Sequence, residues 1–286
     1  GRIVQAETIR YIDESLYRKW MKDEVQRGDI LITSEAPFGQ IFFWDSDEKI
    51  VLSQRLFCVR IKPEYDARFI YYYMTTPEFQ SELDGRATGT TVIGLRQPEL
   101  MKCVIRCPEI QEQKVIAAIL SSIDAKIIAN EKVNDNLHQQ AATLFKALFV
   151  DLTPFNGTMP PNWTISTLGD VTEMGAGGDK PKESSPVKTP LCPYPIYSNG
   201  INDYGLYGYT NDPKIKVESV TVSARGTIGY VCLRHIPYVP IVRLVTLIPD
   251  TKVLSAKYLY LYLRQLHITG TGTTQQQLTV PDFRKT

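Results

Sequence analysis

The feature that most constrains this chain is a repeat: its second half restates, in order, three short motifs of its first half. Gly89-Thr90-Thr91 with Pro98 stands 183 residues before Gly272-Thr273-Thr274 with Pro281. Leu31-Ile32-Thr33-Ser34 ahead of Gly39 parallels Val220-Thr221-Val222-Ser223 ahead of Gly229, at 189 to 190 residues. Between these anchors, Ala67-Arg68-Phe69-Ile70-Tyr71-Tyr72 parallels Ala256-Lys257-Tyr258-Leu259-Tyr260-Leu261 at 189 residues, in the same small, basic, aromatic, apolar order. Ordered self-similarity of this kind predicts two copies of one structural unit. A chain of 286 residues is long enough to give each copy its own core.

Each copy reads as a β-rich body with a short helix, so the expected class is α+β. Arg60 to Pro63 and Val242 to Pro249 are β-branched runs ending at proline, and Phe69 to Met74 and Tyr258 to Leu263 fit a buried helical turn or two. The Gly-Thr-Thr segments read as tight turns that bring backbone close to another strand or a ligand. In the 189-residue alignment residue 1 matches residue 190, whereas the second copy begins near Asn162-Trp163. About 28 residues of the second copy therefore have no counterpart, and residue 1 is expected to lie inside a domain.

Between the copies, Pro108 to about Val150 contains no glycine and no internal proline, which predicts one continuous helix with Pro108 at its first position. Ile116, Ile123, Asn130, Leu137 and Leu144 recur every seven residues, as do Leu120, Ile127, Asn134, Ala141 and Leu148. Spacings that alternate between three and four define a coiled-coil seam. Forty residues rise roughly 60 Å, so the helix is a spacer as well as a packing surface. Asn130 and Asn134 interrupt the seam, as register devices or because the seam opens to solvent at its centre. The seam needs a second helix. By the repeat, one would begin at 291, beyond Thr286, so the partner helix is expected from outside these residues or from a second copy of the chain.

The boundaries that follow are 1–107 for a first domain, 108–150 for the spacer helix and 151–286 for a second domain. With 43% hydrophobic and 22% charged residues and no long apolar run, the chain does not read as a membrane protein. No secretory signal opens it, and its five cysteines do not suit a disulfide framework, so a reducing cytoplasm is expected. A net charge of +1 counts modestly against nucleic acid, although a partner subunit can supply phosphate contacts.

Catalytic motifs are weak throughout. His138, His235 and His267 form no metal-binding pattern, and Cys103 and Cys107 lack the second pair a zinc ribbon needs. Gly175-Ala176-Gly177-Gly178-Asp179-Lys180 lacks the ending of a phosphate loop and reads as a mobile loop; Glu112-Gln113-Lys114 matches half of a nuclease signature on a coiled-coil turn. No catalytic residue, metal or cofactor is expected.

Taken together, the motifs resemble the DNA-specificity (S) subunits of type I restriction-modification systems. Arg27-Gly28-Asp29-Ile30-Leu31-Ile32-Thr33 with Ala36-Pro37-Phe38-Gly39 looks like the strand and turn of a first target recognition domain. Pro108-Glu109-Ile110-Gln111-Glu112-Gln113-Lys114, running into Ile119-Leu120-Ser121-Ser122-Ile123-Asp124, is similar to the start of the conserved spacer helix. Tyr194 to Ile201, Tyr204-Gly205, Tyr209-Thr210 and Ser223-Ala224-Arg225-Gly226-Thr227-Ile228-Gly229 resemble the second recognition domain. The resemblance implies two target recognition domains on two antiparallel helices. It also implies recognition of a bipartite double-stranded DNA site, two modification (methyltransferase) subunits and restriction (translocase-nuclease) subunits as partners, and no catalysis by the chain itself. The chain departs from that pattern in lacking the start of the first domain and the second helix.

Base reading needs hydrogen-bonding side chains on a rigid support, Arg and Lys suiting guanine and Asn and Gln suiting adenine. Candidates in the first copy are Arg86, Thr88, Thr90, Arg96 and Gln97. In the second they are Ser198, Asn199, Tyr204, Tyr207 and Arg225, with Thr273, Thr274, Gln275, Gln276 and Gln277. The rival readings are a protein-interaction scaffold with the same two heads, and the specificity part of a fused methyltransferase-nuclease.

Overall fold

The computed structural model describes residues 9–89, 93–270 and 276–286. The chain divides into two compact units on either side of the Lys132–Val133 bond, inside the long helix, so each unit takes part of that helix.

The first unit contains α1 (Glu14–Trp20), β1 (Ile30–Thr33), β2 (Ile41–Phe43), β3 (Leu56–Val59), α2 (Ala67–Met74), α3 (Pro77–Arg86) and α4 (Gln97–Leu100), and it leads into α5 (Ile110–Phe145). Its strands form an antiparallel sheet in the order β2-β1-β3, with Leu31 opposite Phe42 and Cys58. Alternation along β1 sends Ile30 and Ile32 inward, where they meet Phe69, Ile70 and Met74 of α2 and Phe79 and Leu83 of α3. Asp66 starts α2 by accepting from the Phe69 amide at 2.9 Å, and Thr76 and Pro77 start α3 in the positions a helix N-terminus favours.

The strand expected at Arg60 to Pro63 lies earlier, at Leu56–Val59. Arg60 leaves the sheet because its guanidinium is engaged by buried Asp29 at 2.9 and 2.7 Å and by the Glu24 carbonyl; Pro63 then has no N–H for a ladder. Burial alone would raise the Asp29 carboxyl, but the Arg60 hydrogen bonds and the Gln26 amide outweigh it and hold the group below its ordinary value. The stabilisation is therefore complete above the ordinary carboxylate pKa and fades as pH falls toward the lower, folded one. Asp29→Asn is expected to cost about 1–3 kcal/mol at neutral pH. Urea midpoints measured against pH should show that difference narrowing below about pH 4.

The second unit contains α6 (Leu168–Val171), β4 (Thr172–Ala176), β5 (Ser184–Ser185), β6 (Tyr194–Tyr197), β7 (Leu206–Thr210), β8 (Ser219–Val222), β9 (Val231–Arg234), β10 (Val239–Pro240), β11 (Val245–Pro249), α7 (Ala256–Gln265) and α8 (Val280–Phe283). Its main sheet runs β4-β11-β8-β9, and α7 packs Leu259 and Leu263 on Val220, Val222 and Leu247. A second sheet, β10-β6-β7-β5, occupies the connections between β4 and β8 and between β9 and β11.

The repeat is structural. β2-β1-β3 with α2 and α4 corresponds to β9-β8-β11 with α7 and α8, in the same sheet order. The N-caps Asp66 and Ser255 correspond as well. The drop in offset from 189 to 183 falls where α3 sits in the first unit, while Leu266 to Gly270 of the second unit is not helical.

Two expectations are corrected in the second unit. The run from Val242 enters the sheet only at Val245, since Val242 and Arg243 take left-handed backbone (φ 51° and 61°). The glycine-rich stretch is not a mobile loop at its start: Gly175 and Ala176 end β4, and the Gly177 amide donates to the Leu244 carbonyl at 2.9 Å. A Cβ on Gly177 would stand 2.8 Å from the Ile241 backbone, which is why glycine occupies the crossing.

The long helix begins at Ile110, two residues after Pro108, because the Glu109 carbonyl accepts its first bond, from the Gln113 amide at 3.0 Å. The buried Gln113 side chain donates to the Pro108 carbonyl at 2.7 Å and accepts from the Asp66 amide at 2.9 Å, docking the helix start on α2. The final turn, Lys146–Val150, is π-helical, so the helix is continuous without being α throughout. The buried positions on α5 are Gln113 and Ala117 in the first unit and Phe145 in the second. On the seam, Ile116, Leu120 and Ala141 are half-buried, whereas Ile123, Ile127, Asn130, Asn134, Leu137, Leu144 and Leu148 are exposed. Among the described residues no second long helix covers them.

Candidate nucleic-acid interface

In each unit the central strand ends in a tight turn closed at a glycine, and the chain that follows each Gly-Thr-Thr segment, at Leu95 and at Leu278, returns to it. In the first unit the Gly39 amide donates to the Thr33 carbonyl at 3.1 Å with Gly39 at φ 71°, and in the second the Gly229 amide donates to Ser223 at 3.0 Å with φ 83°. Only glycine adopts that backbone freely. The following segment is then tied on by an equivalent bond: the Leu95 amide donates to the Ser34 carbonyl at 2.9 Å, and the Leu278 amide to Ala224 at 3.0 Å.

In the first unit Thr88 and Gly94 exchange backbone hydrogen bonds of 2.9 and 3.0 Å, which sets Arg86, Thr88, Arg96 and Gln97 around one segment. Arg86 is compensated by Glu82 at 2.9 Å. Thr88, Arg96 and Gln97 are exposed. Thr90 lies outside the described residues, as do Thr273, Thr274 and Gln275 in the second unit.

In the second unit the candidates converge. The connection from β6 to β7 closes with the Ser198 amide donating to the Gly205 carbonyl at 2.8 Å, placing Ser198, Asn199, Tyr204 and Tyr207 on one hairpin. Asn199 then joins this hairpin to the turn after β8: its Oδ1 accepts from the Ala224 amide at 2.7 Å, and its Nδ2 donates to the Val242 carbonyl at 2.7 Å. Next to Ala224, the Arg225 guanidinium donates to Gln277 Oε1 at 3.1 and 2.8 Å. Tyr204 and Tyr207 are exposed, and the Lys180 ammonium lies 5.2 Å from the Tyr207 ring centroid. Arg225 and Gln276 are exposed as well.

Two groups here carried no sequence signal: Lys180, in a stretch that reads as loop, and Arg234 of β9, buried with a terminal nitrogen donating to the Tyr204 carbonyl at 2.7 Å. The remaining reactive-looking groups are ordinary: burial pushes the Cys103 and Cys107 thiols up, His235 pairs with Glu218 at 2.6 Å, and His138 is exposed on α5. Among the described residues no cluster of His, Cys, Asp and Glu could hold a metal ion, and no helix is long and apolar enough to cross a membrane.

A doubled α+β unit on either side of one long helix, with exposed polar side chains on the 88–97 segment of the first unit and on the β6–β7 hairpin and the turn after β8 of the second, gives a scaffold with a candidate binding surface on each unit. The chain belongs to the type I restriction modification DNA specificity domain family, whose pattern matches residues 19–139 and again 160–286. A putative type I specificity subunit of Mycoplasma pneumoniae is 26% identical over 259 residues, covering 88% of this chain and 67% of that protein. The MjaIX specificity subunit of Methanocaldococcus jannaschii is 28% identical over 167 residues, covering 54% of this chain and 38% of that protein. The crystal structure of the S subunit from M. genitalium shares the fold, with a TM-score of 0.50 at 20% identity over 83% of this chain and 63% of that one. The chain thus spans little more than a third of the archaeal relative's length and about two thirds of the other two.

Proposed function

We propose that this chain is a non-catalytic DNA-specificity component of a type I restriction-modification complex, acting in the cytoplasm. Each head contacts one half of a bipartite duplex site, and α5 sets the distance between the halves. Methyl transfer and cleavage are left to two modification subunits and to restriction subunits. The observation that carries this reading is the duplicated turn: in the first head it anchors a segment with exposed Thr88, Arg96 and Gln97, and in the second it bears exposed Arg225 and anchors a segment with exposed Gln276, side chains suited to base edges. The exposed apolar seam from Ile123 to Leu148 is the packing surface for a partner helix, supplied from outside these residues or by a second copy. Asn130 and Asn134 fix its register.

With a net charge of only +1, the chain supplies little of the phosphate-neutralising charge that dominates affinity. The chain alone is therefore expected to shift duplex DNA weakly, and the complex with modification subunits strongly and with sequence preference. A mobility-shift titration in both states checks this. A complex that shifts every duplex equally, or none, would favour the protein scaffold instead.

A further inference from the structure

The second unit buries an arginine among neutral partners. Arg234 of β9 is 6% exposed, and its guanidinium carbon lies 3.6 Å from the Tyr197 ring centroid. Its Nε donates to Thr221 Oγ1 at 2.9 Å and a terminal nitrogen donates to the Tyr204 carbonyl at 2.7 Å. Taking a guanidinium out of water is costly, and hydroxyl, carbonyl and ring partners return less than a carboxylate would. What this arrangement holds is the turn between β6 and β7.

That turn is under backbone strain. Asp203 and Tyr204 both take left-handed conformations, φ 46° and 56°, which are unfavourable for bulky side chains. Packing of the Tyr204 ring does not offset the strain, because Tyr204 is 68% exposed. Gly205 follows at φ 81°, and a Cβ there would stand 2.5 Å from the Ser198 carbonyl, so the turn closes only around glycine. Asn199 clamps the same hairpin to the turn bearing Arg225. A strained, solvent-facing aromatic held by a buried cation, on a hairpin clamped by a half-buried amide, is preorganised for contact with something outside the chain.

We infer that Arg234 is a positioning residue for DNA recognition: it fixes Tyr204 at the tip of the β6–β7 turn, in the hairpin that Asn199 ties to the turn bearing Arg225, so that the tyrosine ring meets a base edge in the second half-site. The inference rests on the DNA-reading function proposed above. Asn199 belongs to the same support, its amide occupied by the fold.

The test uses the intact complex with its modification subunits on a DNA library randomised across both half-sites, with methylation read by sequencing. No preference from the wild-type complex would overturn the DNA-reading function itself, and this inference with it. Given a wild-type preference, Tyr204→Ala is expected to lose about tenfold discrimination at one or more positions of the second half-site and to leave the first unchanged. Arg234→Lys should reproduce that loss, and the double variant should be no worse than Tyr204→Ala. Preserved discrimination in Tyr204→Ala, or additive losses in the double variant, would overturn the inference. Should Arg234→Lys fail to fold, the exposed Tyr204→Ala site still decides the matter.

Discussion

Leu263→Ala is expected to destabilise the second unit by about 2–5 kcal/mol while leaving the first unit's protection intact. Leu263 is fully buried between α7 and the main sheet, among Val220, Val222 and Leu247. Removing its branch leaves a cavity that the close-packed interior relaxes into only partly. Against a typical domain stability of about 5–15 kcal/mol, a loss of that size brings the unit near its unfolding threshold. The first unit has its own core, with Leu83 and Phe79 in place of any contribution from α7. Hydrogen exchange on the full chain should therefore show amides of β8 and β11 opening sooner, with β1 and β3 unchanged. Equal loss in both units would show that they unfold as one body.

Inserting seven helical residues after Asn130 is expected to lengthen the preferred DNA spacer while preserving recognition of both half-sites. One heptad keeps the Ile123-Asn130-Leu137 column in phase, so the seam survives. It adds about 10.5 Å of rise, which matches about 3 base pairs at 3.4 Å each. An insertion of three or four residues instead rotates the apolar stripe away from its partner and should impair assembly. Selection on a library of variable spacers separates these cases. An unchanged optimum after the seven-residue insertion would remove α5 from its role as spacer.

Much of the fold was legible because it is stated twice. The anchors at Thr33–Gly39 and Ser223–Gly229 predicted matching strand ends and turns, and both form with the same hydrogen bond. The heptad columns located α5 to within two residues at its start, and Pro108 misled only because Glu109 takes the capping position. Tertiary contacts decided the errors elsewhere. Arg60 reads as strand until Asp29 draws it out of the ladder, and Gly177 reads as loop until the Ile241 backbone crosses it. The sequence offered the candidate side chains as residue types, but not the assembly in which the described ones stand. No local pattern says that Asn199 bridges to Ala224 and Val242, or that Arg234 lies beneath Tyr204, since those pairs are separated by 25 residues or more and meet only through the second sheet.

Adenine methylation across the genome of a host carrying this chain with its modification subunits tests the two-headed reading most directly. The expected result is a bipartite motif with a fixed spacer, of which one half changes when the second head is exchanged. A single uninterrupted motif, or no methylation that depends on the chain, would contradict it.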